Sequence, residues 1–452
     1  MKAFAGRILI IVQNLPVPFD RRVWLQAQTL RDNGYRVSVI CPKSTEYPKS
    51  REVKDGISIY RYSMPIEAVG IAGYIAEFIY AWMASALLSL VVLLREGFDT
   101  LQLCNPPDTY FLLGLFYRLL GKEFIFDHHD LSPEMYLAKY HKKDGVLHKG
   151  LLLLERFTLR TAKLVMVTNE SYKEVAIRRG RKKAEDVFVL RTGPDLNRLE
   201  IKPVEEKLRQ GRRHLVCYLG EMCPQDGIDY LLRSTDHLIN VIGRKDVFFI
   251  LIGGGPAMKK FKAMSEKMGL SGSVMFTGRI SDEDICRYLS AADLCVDPDP
   301  WSEWADSSTM NKILEYMTFG KAIVTYDLKE TRVSAQKAAV YIKPNDYKMF
   351  SLEIHKLLSD SARRRVMGQF GLELVRKKLA WQHTHKALLQ AYARLFNRTV
   401  VQQPVRDQVA ELPALRLESV PELAGIHEYR RKIRPQPHLP EAVEMPVDML
   451  EG

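Results

Sequence analysis

Six cysteines in 452 residues, at 41, 104, 217, 223, 286 and 295, form no C-x-x-C pair and are scattered through apolar and helical stretches. That pattern excludes a disulfide scaffold and a zinc site, and reads as the buried, reduced thiols of a cytoplasmic protein. No G-x-G-x-x-G follows the first apolar run, which argues against a nicotinamide or flavin site there. An aromatic-interleaved basic motif and finger spacing are both missing, so no nucleic acid is expected as a partner. The first apolar run, RILIIVQ, is too short for a signal peptide. Long uncharged stretches are scarce too. The exception is 78–94, FIYAWMASALLSLVVLL, with 17 residues and no charge. This is the lower limit for a membrane span. A span here would put strands of one sheet on opposite sides of a bilayer, so a buried or membrane-apposed helix is expected instead.

What the chain does have is apolar content and positive charge. Hydrophobic residues make up 46% and charged residues 27%, enough for two domains with large cores. The net charge is +12, and the segment from Thr399 onward carries −3, leaving +15 on the body. Such a balance suits anionic partners such as phosphorylated sugars or an anionic membrane face. From 399 the chain is Pro-rich and aperiodic, and reads as a disordered tail able to bind a protein partner.

The first half alternates apolar strands with helical patterns, beginning with RILIIVQ, a helix over 23–33 and YRVSVICP. Continuous apolar strands of this kind belong to a parallel sheet covered on both faces, the opening of a Rossmann-like domain. Further strands are expected at 57–62, 100–104, 123–127 and 163–168. Ligand crevices lie at strand ends in such sheets. The candidates there are Asp20-Arg21-Arg22, Asn105-Pro106-Pro107-Asp108 and Asp127-His128-His129-Asp130. A His beside an Asp serves as metal ligand, general base or polar core residue. With no third ligand at regular spacing, a metal is the weakest of the three.

In the second half, 299–324 reads DPWSEWADSSTMNKILEYMTFGKAIV. The Ser307-Ser308-Thr309 cluster is expected to cap a helix ended by Gly320 and followed by a buried strand. Met310, Ile313, Leu314 and Met317 share one helix face; Ser308, Lys312, Glu315 and Phe319 share another. A helix start after a loop suits an anion. A solvated Lys-Glu pair on an ordinary helix would show the same spacing.

The stretch Leu314-Glu315-Tyr316-Met317-Thr318-Phe319-Gly320-Lys321-Ala322-Ile323 resembles the L-E-A-M-A-x-G-x-P-V segment of retaining GT-B glycosyltransferases of family 4. The resemblance extends over roughly 7–396. The loop NLPVPFDRRV is similar to the family's first loop, His129-Asp130 to its H-D pair, VFVLRTGPDLNRL to its crossing segment, and VMFTGRISDEDICRYLSAADLCVDP to its base-binding region. It implies an α/β fold of two Rossmann-like domains (GT-B) around a deep interdomain cleft, with a C-terminal helix crossing back to the first domain. The expected divisions are 1–205 for the acceptor-binding domain, 206–375 for the nucleotide-sugar domain, 376–398 for the crossing helix and 399–452 for the tail.

The resemblance further implies a hexosyltransferase moving a sugar from a UDP- or GDP-type nucleoside diphosphate sugar to a glycan or lipid-linked acceptor. Retention, no metal and no other cofactor are expected, in polysaccharide biosynthesis at the cytosolic membrane face. His129, Asp130 and Asp20 are the catalytic candidates on the acceptor side. Donor contacts are assigned to Glu315 (ribose), Lys312 (diphosphate), Thr309, Ser308, Asp306 (sugar hydroxyl), Gly254, and Arg279 and Ile280 (base). Two departures stand out. Glu221 and Asp226 occupy positions where the family carries Arg and Lys. Ser307, eight residues before Glu315, replaces the first Glu of E-x7-E, with Asp306 beside it. These departures keep two rivals in view: a non-catalytic nucleotide-sugar-binding subunit, and a GT-B sugar-nucleotide epimerase or phosphorylase.

Overall fold

The computed structural model describes residues 5–64, 70–140 and 145–396; the expected tail lies outside these. The first half contributes β1 (Gly6–Ile11), α1 (Arg21–Asp32), β2 (Tyr35–Pro42), β3 (Arg51–Lys54), β4 (Ile57–Tyr62), α2 (Gly70–Arg95), β5 (Thr100–Cys104) and α3 (Phe111–Leu119). It continues through β6 (Glu123–His128), α4 (Ser132–Tyr140), α5 (Val146–Thr161), β7 (Leu164–Val167), α6 (Glu170–Arg178) and β8 (Val187–Val189). These strands form one sheet in the order β3-β4-β2-β1-β5-β6-β7-β8. All neighbours are parallel except β3, which runs antiparallel to β4. β3 (REVK) was not anticipated. It is polar and exposed, so only its hydrogen bonds to β4 define it.

The second half holds β9 (His214–Leu219), α7 (Ile228–Asp236), β10 (Val247–Ile252), α8 (Met258–Lys267), β11 (Val274–Gly278), α9 (Asp282–Ala291), β12 (Leu294–Asp297), α10 (Glu303–Ser307) and α11 (Asn311–Thr318). After these come β13 (Ile323–Tyr326), α12 (Lys329–Ala335), β14 (Ala339–Ile342), α13 (Tyr347–Ser359) and α14 (Ser361–Leu374). The six strands are all parallel, in the order β11-β10-β9-β12-β13-β14. β9, β10, β12 and β13 are buried along their whole length, as continuous apolar strands covered on both faces should be.

Strand order reverses between β1 and β5 in the first sheet and between β9 and β12 in the second. Loops leaving the carboxyl ends of those strands diverge and open a crevice. The chain closes with α15 (Trp381–Thr384) and α16 (Lys386–Leu395), which cross back onto the first sheet. Trp381 Nε1 donates to Thr29 Oγ1 at 3.0 Å, and the Tyr392 hydroxyl donates to Gln102 Oε1 at 2.7 Å. Tyr392 also packs on Tyr35, with ring centroids 5.6 Å apart.

α2 is buried on one side only. Ala81, Ser85, Ser89 and Val92 face the sheet, while Ile79, Met83, Leu87 and Leu94 are exposed. Ile75–Arg95 is long and apolar enough to cross a membrane by length and composition. Yet its two ends feed β4 and β5 of a single sheet, which a spanning helix could not do.

Candidate active site

Ser302 caps α10 by accepting from the Ala305 amide at 3.0 Å, so a short helix interrupts what reads in sequence as one loop. α11 then begins at Asn311 behind Met310, with no side-chain cap. The expectation that Ser307, Ser308 and Thr309 cap this helix is therefore corrected: their polar groups are engaged elsewhere. Ser308 Oγ donates to the Trp304 carbonyl at 2.7 Å and lies 3.0 Å from the Tyr172 hydroxyl. Asn169 Nδ2 donates to the Ser307 carbonyl at 2.8 Å and to Thr309 Oγ1 at 3.1 Å. Asn169 and Tyr172 come from the start of α6, so this hydroxyl cluster fastens the second half to the first. Asp306 accepts from the Lys329 amide at 2.8 Å, at the head of α12.

Glu315 on α11 faces the cleft. Its Oε1 accepts from Arg21 Nη1 and from Arg198 Nη2, both at 2.8 Å. The same two guanidinium groups reach Asp282 Oδ1 at 2.6 and 2.8 Å. Two arginines and two carboxylates thus form a closed ring between α1, the segment after β8, α9 and α11. Ring geometry suits exchange: an arriving anion and diol can take over the arginines and the carboxylate respectively.

Lys312 is one turn away but turned inward. Its Nζ lies 3.0 Å from Asp297 and 2.7 Å from Asp299, and 5.1 Å from the centre of the Tyr218 ring. Burial works to lower its pKa, but Asp297 and Asp299 hold it well above the ordinary value. Burial and the neighbouring Asp297 push the Asp299 carboxyl well up. Asp226, at one of the positions where a cation was expected, is a structural residue. It accepts from the Cys223 amide at 2.7 Å and closes the loop after β9. Glu221, at the other, pairs with Arg279 at 3.3 Å. Arg279 also lies over the Phe19 ring at 5.4 Å, so a cation does stand at this place, contributed by the loop after β11. Ile280 packs beside it against the core.

The glycine turn after β10 is dictated by contact. A Cβ on Gly253 would sit 1.9 Å from the Gly220 carbonyl, at a φ of +129°. A Cβ on Gly254 would meet only the Arg279 stem, at 3.6 Å, and the Gly254 carbonyl accepts from the Met222 amide at 2.9 Å.

On the first sheet, His129 Nε2 lies 2.9 Å from Asp127 Oδ2, and its amide donates to Asn105 Oδ1 at 2.6 Å. Asn105 Nδ2 in turn donates to the Asp130 carbonyl at 2.7 Å, so the β5 loop fixes the His129-Asp130 peptide. Asp127 is fully buried and receives Arg22 at 2.7 and 3.3 Å, Gln26 at 2.7 Å and Gln102 at 3.3 Å. Burial would raise its pKa, but Arg22 and His129 hold it far below the carboxylate range. Asp20 caps α1 at the Val23 amide, and burial raises its pKa against the pull of His129. Burial also raises Asp130. His128 points the other way, into the core beside Glu155 at 3.4 Å. Cys104, Asp127 and His129 bring ligand atoms within 4.8 Å of one another, a metal-like grouping. Both Asp127 oxygens already accept from Arg22, and burial pushes the Cys104 thiol well up, so the group offers no free carboxylate.

The structure thus brings Glu315, Arg279, Ile280 and Gly254 to one wall and Asp20, His129 and Asp130 to the other. Arg198, Arg22, Asn105 and Asp127 complete the site. Arg198 carried no sequence signal, being one basic residue in the segment joining the halves. A cavity of about 480 Å³ opens between α4 and the second half, lined among others by Glu134, Leu137, Gln225, Tyr230, Trp301 and Glu303.

Two family models match the chain: "Glycosyl transferase 4-like domain" over 20–193 and "Glycosyl transferases group 1" over 213–360. A 2-deoxystreptamine glucosyltransferase of Streptomyces kanamyceticus is 22% identical over 386 residues, covering 82% of this chain and 97% of that protein. An uncharacterized glycosyltransferase of Methanocaldococcus jannaschii is 19% identical over 217 residues, and the match spans 54% of its length and 47% of this chain. Among solved structures, a sucrose-phosphate synthase of Thermosynechococcus elongatus superposes with a TM-score of 0.67 at 19% identity, covering 87% of this chain and 99% of that one. HepE of Anabaena, in complex with UDP-glucose, gives 0.65 at 17%, covering 87% and 100%.

Proposed function

The chain is a glycosyltransferase of the GT-B fold, and from that premise we propose that it moves a hexosyl group from a UDP-type sugar donor to a glycan or lipid-linked acceptor, with retention and without a metal ion. The observation that carries this reading is the Arg21–Glu315–Arg198–Asp282 ring, which lies where the diverging loops of the two sheets face each other. Glu315 exchanges its arginines for the ribose diol, whose two hydroxyls suit a carboxylate acceptor. The released guanidinium groups, with Arg279, then meet the diphosphate. They stabilise the charge that builds on it as the glycosidic bond to the leaving nucleotide breaks.

Lys312 acts one step back, holding the β12 loop against Asp297 and Asp299. The Asp127-held imidazole of His129 orients the acceptor or the transferred sugar, with Asp20 and Asp130 beside it. A UDP donor is favoured over a GDP donor by the likeness to HepE, which was crystallised with UDP-glucose. Trp301 and the carboxylates around the 480 Å³ cavity provide a stacking face and acceptors suited to a hydroxyl-rich acceptor.

The test is titration calorimetry of UDP, GDP and ADP, followed by a UDP-sugar panel assayed for nucleotide release. Binding of UDP with acceptor-dependent release supports the reading. Nucleotide binding with no turnover on any acceptor would favour the non-catalytic binding subunit, and acceptor-independent conversion would favour an epimerase or phosphorylase.

A further inference from the structure

We propose that α2, α3 and α5 form a docking face for an anionic phospholipid bilayer. The three helices lead into β5, β6 and β7, which are parallel neighbours, so they lie side by side on one face of the first sheet and point the same way. Contacts join them laterally. Ser89 of α2 meets the Tyr117 hydroxyl of α3 at 2.7 Å, and Phe111 of α3 stacks on Phe157 of α5 at 5.6 Å.

This layer is built with its large side chains outward. Along α2 the sheet-facing positions are Ala81, Ser85, Ser89 and Val92, three of them small. The exposed ones are Ile75, Ile79, Met83, Leu87, Leu90 and Leu94, a continuous stripe at helical spacing. A helix whose only role is to cover a sheet has the opposite arrangement. The stripe continues onto α3, where Leu115, Phe116 and Leu119 are exposed, and onto α5 at Leu153 and Phe157. Leu94 and Leu119 keep 86% and 87% of their surface open. Exposed large apolar side chains spread over three adjacent helices are the kind of surface that marks a contact site.

Charge identifies the partner. Because the helices are parallel, their last turns gather at one edge of the layer, and each ends in arginine: Arg95, Arg118 and Arg160. All three are exposed, as are Lys149 and Arg156 on α5. A helix dipole accounts for one cation at each end, but not for exposed leucine and phenylalanine beside it. Acids are few: α2 has only Glu77, α3 has none, Glu155 of α5 is buried against Arg179, and at the same edge Glu96 is taken up by Arg51 and Tyr60 and Glu123 by Lys163. An apolar face with a basic rim matches the boundary between acyl chains and anionic headgroups. A protein partner would more often meet a rim of both signs. Both sheet switch points lie at the strand ends remote from the basic edge, so docking leaves the cleft open. The inference does not rest on the donor reading and survives if that reading fails.

The experiment is flotation of the full chain with vesicles of phosphatidylcholine alone and of phosphatidylcholine with about one-third phosphatidylglycerol. Wild type should float with the anionic vesicles, more weakly with the neutral ones, and release by at least tenfold in high salt. Leu87→Glu/Leu94→Glu and Phe116→Glu/Leu119→Glu should each lose at least tenfold in bound fraction while keeping their melting temperature and UDP affinity. Arg95→Glu/Arg118→Glu should lose the preference for anionic lipid. Should a double variant fail to fold, quenching of wild-type tryptophan emission by brominated lipid, with Trp82 on α2 as the reporter, still decides. The proposal is overturned if wild type floats with neither vesicle, or if the glutamate variants float undiminished. It is likewise overturned if light scattering shows a wild-type dimer that these substitutions dissociate and no lipid is bound.

Discussion

Arg21 of α1 donates to Glu315 of α11 at 2.8 Å across 294 residues of chain, and so ties the two halves of the molecule together at the floor of the cleft. Arg198 binds the same carboxylate oxygen, so Oε1 of Glu315 is engaged before any ligand arrives. An engaged carboxylate has two consequences. Its orientation is set in advance, and a ligand must displace the arginines to use Oε1.

Glu315→Ala removes the diol acceptor and leaves two arginines facing Asp282 alone. Hydrogen bonds to a charged group are worth about 1.5–3 kcal/mol, so UDP affinity should fall roughly 10- to 150-fold. Arg21→Ala should instead lower kcat more than it raises the KM for donor, if the arginine meets the diphosphate chiefly as the leaving group departs. Initial-rate kinetics on both variants separate these effects. Equal loss of binding in both, with kcat unchanged in Arg21→Ala, would assign Arg21 to simple ground-state binding.

Lys312 is a different case, because its charge is spent within its own domain. Removing it leaves Asp297 and Asp299 buried without their cation, and breaking a buried pair this way costs about 3–5 kcal/mol. Lys312→Met should therefore shift the urea midpoint markedly, and Asp299→Asn in the same background should recover part of the loss. A Lys312→Met protein of undiminished stability that binds UDP poorly would return this lysine to direct phosphate contact.

Much of this arrangement was legible in the sequence, and what was not has a common physical cause. The buried strands announced themselves as apolar runs, but helical spacing put Lys312 and Glu315 on one face, whereas Glu315 meets the cleft arginines and Lys312 turns inward to Asp297 and Asp299. β3 did not announce itself, because REVK has neither an apolar face nor length and is defined only by bonding to β4. The hydroxyls at 307–309 suggested a local cap, whereas their partners, Asn169 and Tyr172, stand more than 130 residues away. The caging of Lys312 depends on β12 lying beside the start of α11. Arg198 depends on where the segment between the halves runs. Local chemistry is written in spacing, and long-range pairing is not. The 78–94 run illustrates both: its uncharged length was plain, while the side it turns to solvent emerged only from the packing of α2 on the sheet.

Asp108 offers a pH test of the acceptor wall. It sits at the end of the β5 loop, fully buried, with Oδ1 accepting from Asn105 at 3.1 Å and Oδ2 without a partner among the described residues. Burial pushes its pKa up to about 6, Glu155 adds to the rise, and His128, Ser132 and Asn105 oppose it. An unfolded aspartate titrates near about 3.9, so the folded state holds this proton more tightly than the unfolded one. The stability linked to the proton is fully present below about pH 4 and is lost as the pH rises through about 6. Asp108→Asn keeps the acceptor for Asn105 and cannot ionise. Relative to wild type it should therefore gain melting temperature at pH 7.5, and the gain should shrink steadily towards pH 4.5. Because the Asn105 contact that fixes His129 is retained, UDP affinity should stay within about twofold of wild type. A stability difference that does not change between pH 4.5 and 7.5 would mean that Asp108 stays ionised throughout, its charge met by His128.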